Sequence, residues 1–167
     1  MKKKIIRQYL EIKSPKDINE TSRPENSYSV TLINSRDFQL NKFFYKQIGK
    51  KYNWIDRLVW TDKNWIDYIS NKNLLTFALK KKKNLIGYFE LIIHNSNEIE
   101  IAYFGLLEEY FGKGLGGYLL TEALRKSFYI NGIKRVWCHT CSYDHKHGIK
   151  NYLSRGMSIF KTETINF

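Results

Sequence analysis

The sequence predicts a mixed α+β domain, on three observations. Between Leu74 and Leu107, "LLTFALK", "NLIGYFELIIH" and "EIEIAYFGLL" are strand-like runs divided only by lysine-rich and Asn/Ser-rich turns, so an antiparallel meander is expected. After a knot of glycines, Leu115, Leu119, Leu120, Ala123, Leu124 and Phe128 recur at helical spacing. The strand-like "RVWCHTCS" comes next, and strand, helix, strand implies one parallel crossover joined to the meander.

In chain order, "KIIRQYLEIK" alternates as a strand does, and "SPKDINETSRPEN", which holds both prolines, reads as an exposed connector. Residues 1–26 are therefore expected to stand apart, as an N-terminal strand and connector, from one domain over residues 27–167. "SYSVTLIN" is a second strand. Ser35 is expected to cap a helix that turns Phe38, Leu40, Phe43, Phe44 and Ile48 inward and stops at Gly49. Thr61 and Asp62 begin a short helix through Trp65, Ile66 and Ile69. "NGIK" ends the long helix, and a last helix around Ile149 to Arg155 precedes a closing strand from Ser158. No internal repeat is evident.

A length of 167 residues suits one domain that buries about two thirds of its unfolded surface. The net charge of +12 invites a nucleic-acid or membrane reading. Lysine far outnumbers arginine, however, and Ile and Asn are also abundant, so the charge reads as a residue bias; arginine is the residue favoured for bidentate phosphate recognition. No specific nucleic-acid partner and no membrane partner are expected. "MKKKIIRQYLEIK" opens like a signal peptide, but Arg7, Gln8 and Glu11 break its apolar core. "LIGYFELIIH" is interrupted by Glu90 and falls far short of the roughly 20 residues that span a bilayer. Two cysteines make no disulfide framework, and a cytoplasmic location is expected.

Gly112, Gly114, Gly116 and Gly117 sit where a strand hands over to a helix. Backbone amides there can point at an anion under the helix N-terminus, and a phosphate is the natural guest. A phosphate-binding P-loop needs G-x-x-x-x-G-K followed by Ser or Thr, which is absent. The dinucleotide pattern G-x-G-x-x-G is formally present as Gly112, Gly114 and Gly117, but "RVWCHT" offers no carboxylate at the end of the next strand. The pyrophosphate of coenzyme A is the third candidate.

Taken together, "EIAYFGLLEEYFGKGLGGYLL", "RVWCHTC" and "HGIKNYLSRGM" resemble the GNAT N-acetyltransferases over roughly residues 74–160. Phe111, Gly112, Lys113, Gly114, Leu115 and Gly116 occupy that family's glycine-loop pattern, and Gly117 comes directly after it. Phe111 stands where Gln or Arg is usual, which leaves the backbone cradle in place. Tyr152, Gly156 and Met157 match a second signature, with Gly148 where Ala is usual and His145 where Asn is frequent. The resemblance implies a GNAT-like α+β fold: a central mixed, mostly antiparallel sheet, helices on both faces, and a splayed strand pair that admits acyl-CoA. The pantetheine arm would pair with backbone near Gly105, Leu106 and Leu107. The implied activity is acetyl-CoA-dependent N-acetyl transfer, direct, to a primary amine of a small molecule or peptide. A non-catalytic acyl-CoA-binding regulatory protein is the alternative, and a basic nucleic-acid-binding module a third.

Transfer from a thioester to an amine requires a neutral amine, a stabilised oxyanion and a proton for the departing thiolate. A lysine-like amine is protonated at neutral pH, so a carboxylate should assist its deprotonation. Glu100, at the head of the fourth strand of the family pattern, is the candidate, with Glu98 beside it on the same face. Tyr152 is the candidate acid, because a phenol of pKa about 10 stays protonated where a thiol of about 8.5 is leaving. A backbone amide beside Leu106 would meet the oxyanion. Cys138, Cys141, His139, His145 and His147 suggest zinc, but strand residues three apart face opposite sides, and no metal is expected. Trp54, Asp56, Arg57 and Trp60 in "YNWIDRLVWTDKNW" suit an acceptor pocket of aromatic walls and a few charges, with core packing of tryptophans at helical spacing as the alternative. The acceptor stays open between a small amine, an amino acid, and a peptide N-terminus or lysine.

Overall fold

The computed structural model of the chain describes residues 3–34, 37–95 and 97–166. Strands β1 (Lys4–Ile12), β2 (Tyr28–Leu32), β3 (Leu74–Lys81), β4 (Asn84–His94), β5 (Glu98–Leu106), β6 (Arg135–Cys141) and β7 (Ser158–Asn166) alternate with helices α1 (Phe38–Gly49), α2 (Asp62–Ile69), α3 (Leu115–Tyr129) and α4 (Gly148–Ser154). The strands form one sheet in the order β2-β3-β4-β5-β6-β1-β7. Its β5–β6 pair is parallel and its other pairs are antiparallel. The β3–β4–β5 meander and the β5–α3–β6 crossover are thus present as the hydrophobic patterning requires.

The N-terminal strand does not stand apart. β1 pairs with β6 from Arg7↔Cys141 to Ile12↔Val136 and with β7 along its other edge, and Leu10 is fully buried. The expectation that the fold begins after the connector is corrected on this point. Alternation revealed the strand, but its partners lie more than a hundred residues away, and nothing local encodes that pairing.

The two faces of the sheet carry different cores. On one, α3 sets Leu115, Leu119, Leu120, Ala123 and Leu124 against Ile99, Ile101, Val136 and Cys138. On the other, α1 sets Phe44 and Ile48 against Ala78 and Tyr88, with the Phe44 and Tyr88 rings stacked at 4.7 Å. The expected cap Ser35 lies outside the described residues; Asp37 caps α1, its carboxylate accepting from Gln39 N at 3.1 Å. Phe43, expected inward, is 40% exposed, whereas Asn41 and Tyr45 are buried. The inward face of α1 is displaced because a polar residue, Asn41, is needed inside. Its amide donates to Thr76 Oγ1 at 2.9 Å and Glu90 Oε1 at 2.8 Å. α2 begins with a capping box between Thr61 and Asn64, and Ile66, also expected inward, faces solvent.

Candidate active site

β5 and β6 are paired only from Glu98↔Arg135 to Glu100↔Trp137. Beyond Glu100 the two strands diverge, while β5 keeps its ladder to β4 as far as Leu106 and β6 keeps its ladder to β1. A bulge assists the parting. Glu90 lies opposite Tyr103 and Leu91 opposite Ile101, so Ala102 is an extra residue that bends β5 and re-aims the side chains from Tyr103 onward. The divergence opens a cleft of about 1010 Å³. It runs from the glycine loop and α3 N-terminus, past Tyr152, to Glu100 and the segment joining α1 to α2.

At the loop end, α3 has Gly114 at its N-cap position and no side-chain cap. The first-turn N–H groups of a helix have no intrahelical acceptor, so these amides are free for an anion. Gly112 and Gly114 hold φ of 76° and 74°, and a Cβ on either would meet nothing within 4 Å. Backbone conformation and open space, not protein packing, account for glycine at both. Gly117 differs: a Cβ there would fall within 3.0 Å of Thr21 Oγ1 and closer still to Arg155 Nη1, so its glycine serves close packing. Asn151 of α4 donates to Gly116 O at 2.9 Å and ties the loop to the next helix. The His145 ring meets Phe111 edge-on at 5.0 Å, closing the side of the cleft. Burial, and then the neighbouring His147 and Lys146, push His145 below its ordinary pKa.

Tyr152 projects from α4 into the middle of the cleft beside Phe104. Its hydroxyl makes no hydrogen bond with another described residue, and burial holds its phenol well above the ordinary range. It therefore remains a donor at every working pH. Glu100 lies at the far end, its Oε1 at 3.0 Å from His94 Nε2, and the His94 ring stacks on Trp137. Glu98, its neighbour on the strand, is held by Arg135 Nη1 at 3.3 Å and does not line the cleft.

Of the residues expected to contact acyl-CoA, Gly105, Leu106, Phe111, Gly112, Gly114, Leu115, Gly116, Gly117 and His145 line the cleft. Leu107 and Lys113 do not. The Leu107 amide donates to Ile86 O at 2.8 Å, so it is not left for pantetheine, and its carbonyl accepts from Tyr110 N at 3.0 Å. Lys113 sets its ammonium over the Tyr110 ring. Of the four acceptor-side residues, Trp54, Asp56 and Arg57 line the cleft and Trp60 does not.

Trp60 instead packs on Trp65 and Tyr68 and covers the Arg57 guanidinium. That guanidinium is caged by aromatic rings and paired with Glu90 at 3.2 Å, both side chains being almost wholly buried. Glu90 also accepts from Asn41 and from Tyr68 OH at 2.6 Å. A buried carboxylate satisfied from α1, α2 and the intervening segment fixes all three to β4. Arg57 and Glu90 thus position the wall that carries Trp54 and Asp56.

Reasoning from the sequence missed Arg7, and weighed His139 only as a metal ligand. Both line the cleft floor. Alternation in β1 puts Ile5, Arg7 and Tyr9 on one face, but only the pairing with β6 shows that this face meets the cleft. Cys138, beside His139, points the other way into the α3 core, where burial raises its thiol pKa. Among the described residues no three His, Cys, Asp or Glu side chains converge as a metal site, and no helix is long and apolar enough to cross a membrane.

The sequence profile of the acetyltransferase (GNAT) family matches residues 35–157. The chain belongs to this family. Solved structures agree on the GNAT fold. A GCN5-related N-acetyltransferase from Kribbella flavida has a TM-score of 0.67 at 14% identity, over 94% of this chain and 55% of that one. One from Sphaerobacter thermophilus has a TM-score of 0.68 at 14% identity, over 97% and 50%. An aminoglycoside acetyltransferase from an uncultured soil metagenomic sample, solved with trehalose, has a TM-score of 0.65 at 12% identity, over 80% and 90%. The chain thus spans about half the length of the first two GNAT structures. No curated protein matches the sequence.

Proposed function

We propose that this GNAT protein is an acetyl-CoA-dependent N-acetyltransferase that moves the acetyl group directly to a primary amine. The observation that carries the reading is the β5–β6 divergence, which joins an uncapped, glycine-lined helix N-terminus to Glu100 through one cleft past Tyr152. The residues suit the donor. Amides from Gly112 to Gly117 would hold the pyrophosphate, and the edge of β5 left unpaired by β6, around Gly105 and Leu106, would hold the pantetheine arm.

Acetyl-CoA supplies an activated acyl group as a thioester. On the protein's side, Glu100 takes a proton from the acceptor ammonium, and His94, touching Glu100 and partly exposed, passes it to solvent. The amine nitrogen then bonds to the acyl carbon and the C–S bond breaks; the proton that nitrogen sheds on becoming an amide balances the one the thiolate takes up to leave as free thiol. Tyr152 donates a hydrogen bond to the developing thiolate. Because burial raises its pKa, stabilising the thiolate precedes full proton transfer.

Two measurements test the reading. Saturating acetyl-CoA should raise the melting temperature, and a panel of amines should yield at least one that releases free thiol. Binding without turnover across small amines, amino acids and peptides would favour a regulatory acyl-CoA-binding protein. An unshifted melting temperature would overturn both.

A further inference from the structure

One charge on the cleft floor has no hydrogen-bonding partner among the described residues. Arg7 of β1 lies opposite Cys141 of β6 and Glu163 of β7 and lines the cleft beside His139. No hydrogen bond or ion pair to a described residue engages its guanidinium, and its Nε is buried without a partner. Two other arginines on this side of the sheet are already paired, Arg57 with Glu90 and Arg135 with Glu11 and Glu98. The carboxylate nearest in register, Glu163, is held by Lys161 and by Tyr9 OH at 2.9 Å. A half-buried guanidinium facing a cavity with unmet donors suits bidentate binding of a carboxylate.

The register places Arg7 relative to the base. Glu100 is opposite Trp137, His139 and Cys141 come after Trp137 on the same face, and Cys141 is opposite Arg7. Strand spacings put the Glu100 and Arg7 Cα atoms roughly 16 Å apart, with both side chains on the cleft face. His139 lies between them, held below its ordinary pKa by burial and by the charge of Arg7, so it adds no charge at neutral pH. The floor carries Glu100 at one end and the Arg7 guanidinium at the other; Asp144, which also lines the cleft near Cys141, accepts from Thr140 Oγ1 at 2.7 Å and from Cys141 N at 2.8 Å.

We infer that the acceptor is an ω-amino acid, its terminal amine delivered to Glu100 while Arg7 holds its carboxylate. This rests on the acetyltransferase reading and names its substrate class. The separation suits an amine several carbons from the carboxylate, as in the lysine side chain. Asp56 and Asp144 line the cleft as well as Lys3 and Arg7, so the carboxylate anchor at Arg7, and not the net charge of the wall, is what sets this acceptor class apart from an aminoglycoside.

The experiment compares L-lysine, cadaverine (the same amine without the carboxylate) and kanamycin, by thiol release under saturating acetyl-CoA. Lysine should exceed cadaverine in kcat/KM by roughly 10²-fold, and kanamycin should be poorest. Arg7→Gln should collapse the lysine-to-cadaverine ratio toward unity, and Arg7→Lys should restore part of it. Lys63→Gln, an exposed charge on α2, should leave the ratio unchanged. Equal use of lysine and cadaverine, preference for kanamycin, or an Arg7→Gln enzyme that keeps the ratio would each overturn the inference. If acetyl-CoA binds but none of the three turns over, calorimetry with CoA present decides: 6-aminohexanoate should bind the wild type and not Arg7→Gln, and absence of binding overturns it. If acetyl-CoA does not bind, the acetyltransferase reading itself has failed, and this inference with it.

Discussion

In the proposed mechanism Glu100 and Tyr152 divide the proton work, and their variants should fail differently. Tyr152→Phe removes one hydroxyl and little volume, so turnover should fall by roughly 10²-fold while acetyl-CoA affinity is nearly unchanged. Unaltered single-turnover rates would remove the donor role. Glu100→Gln should lower the rate chiefly near neutral pH, and the loss should shrink as pH rises toward the acceptor's own pKa, where less of the amine needs deprotonation. A pH profile parallel to that of the wild type would reduce Glu100 to a partner of His94. The buried pair calls for a different measurement. Glu90→Gln keeps shape but leaves the Arg57 charge uncompensated among its aromatic rings, so denaturant unfolding should show a loss of about 3–5 kcal/mol. A loss below about 1 kcal/mol would mean that the rings alone hold the guanidinium.

At the scale of elements, strands and helices were legible where periodicity was strong, and misjudged where a polar side chain had to be inside. α3 shows the first case, with Leu115, Leu119, Leu120, Ala123 and Leu124 all buried. α1 shows the second: hydrophobicity favours Phe43 over Asn41, but the carboxylate that Asn41 satisfies sits on β4, far away in sequence. Trp60 was misplaced for the same reason. Trp60 looked like a pocket wall because the partner that claims it, the caged Arg57, is defined only in three dimensions. The glycine loop was legible as a group but not residue by residue. Its two kinds of glycine should separate on mutation. Gly114→Asp puts a carboxylate at the N-cap of α3, a position that favours the helix, at a cost of about 1–2 kcal/mol for the left-handed φ. Acetyl-CoA should then no longer raise the melting temperature, because the anion position carries its own charge. Gly117→Ala should destabilise the apoprotein, because Arg155 and Thr21 must move. If Gly114→Asp keeps the thermal shift of the wild type, the pyrophosphate does not sit on this helix.

For the molecule as a whole, β1 is both a structural tie and one side of the proposed acceptor floor. It pairs with the edge of β6 that faces away from β5, so β6 keeps one ladder after it has parted from β5; without β1 that stretch of β6 would be unpaired on both edges. Leu10, fully buried opposite Cys138, anchors it into the α3 core, while Arg7 on the alternate face looks into the cleft. These two roles can be pulled apart. Leu10→Ala removes a buried side chain from the core shared by β1, β6 and α3, so stability should fall by about 2–5 kcal/mol. The proposed pyrophosphate cradle is formed by the glycine loop in a cleft that Leu10 does not line, and it should keep its affinity, so saturating acetyl-CoA should still raise the lowered melting temperature. Unfolding of Leu10→Ala should also stay a single transition, since β1 is hydrogen-bonded on both edges and cannot detach without exposing β6 and β7 together. A two-step transition, with an early phase insensitive to acetyl-CoA, would show that residues before the connector fold separately from the rest of the sheet. A single transition with reduced stability would show that the sheet is completed by its first strand.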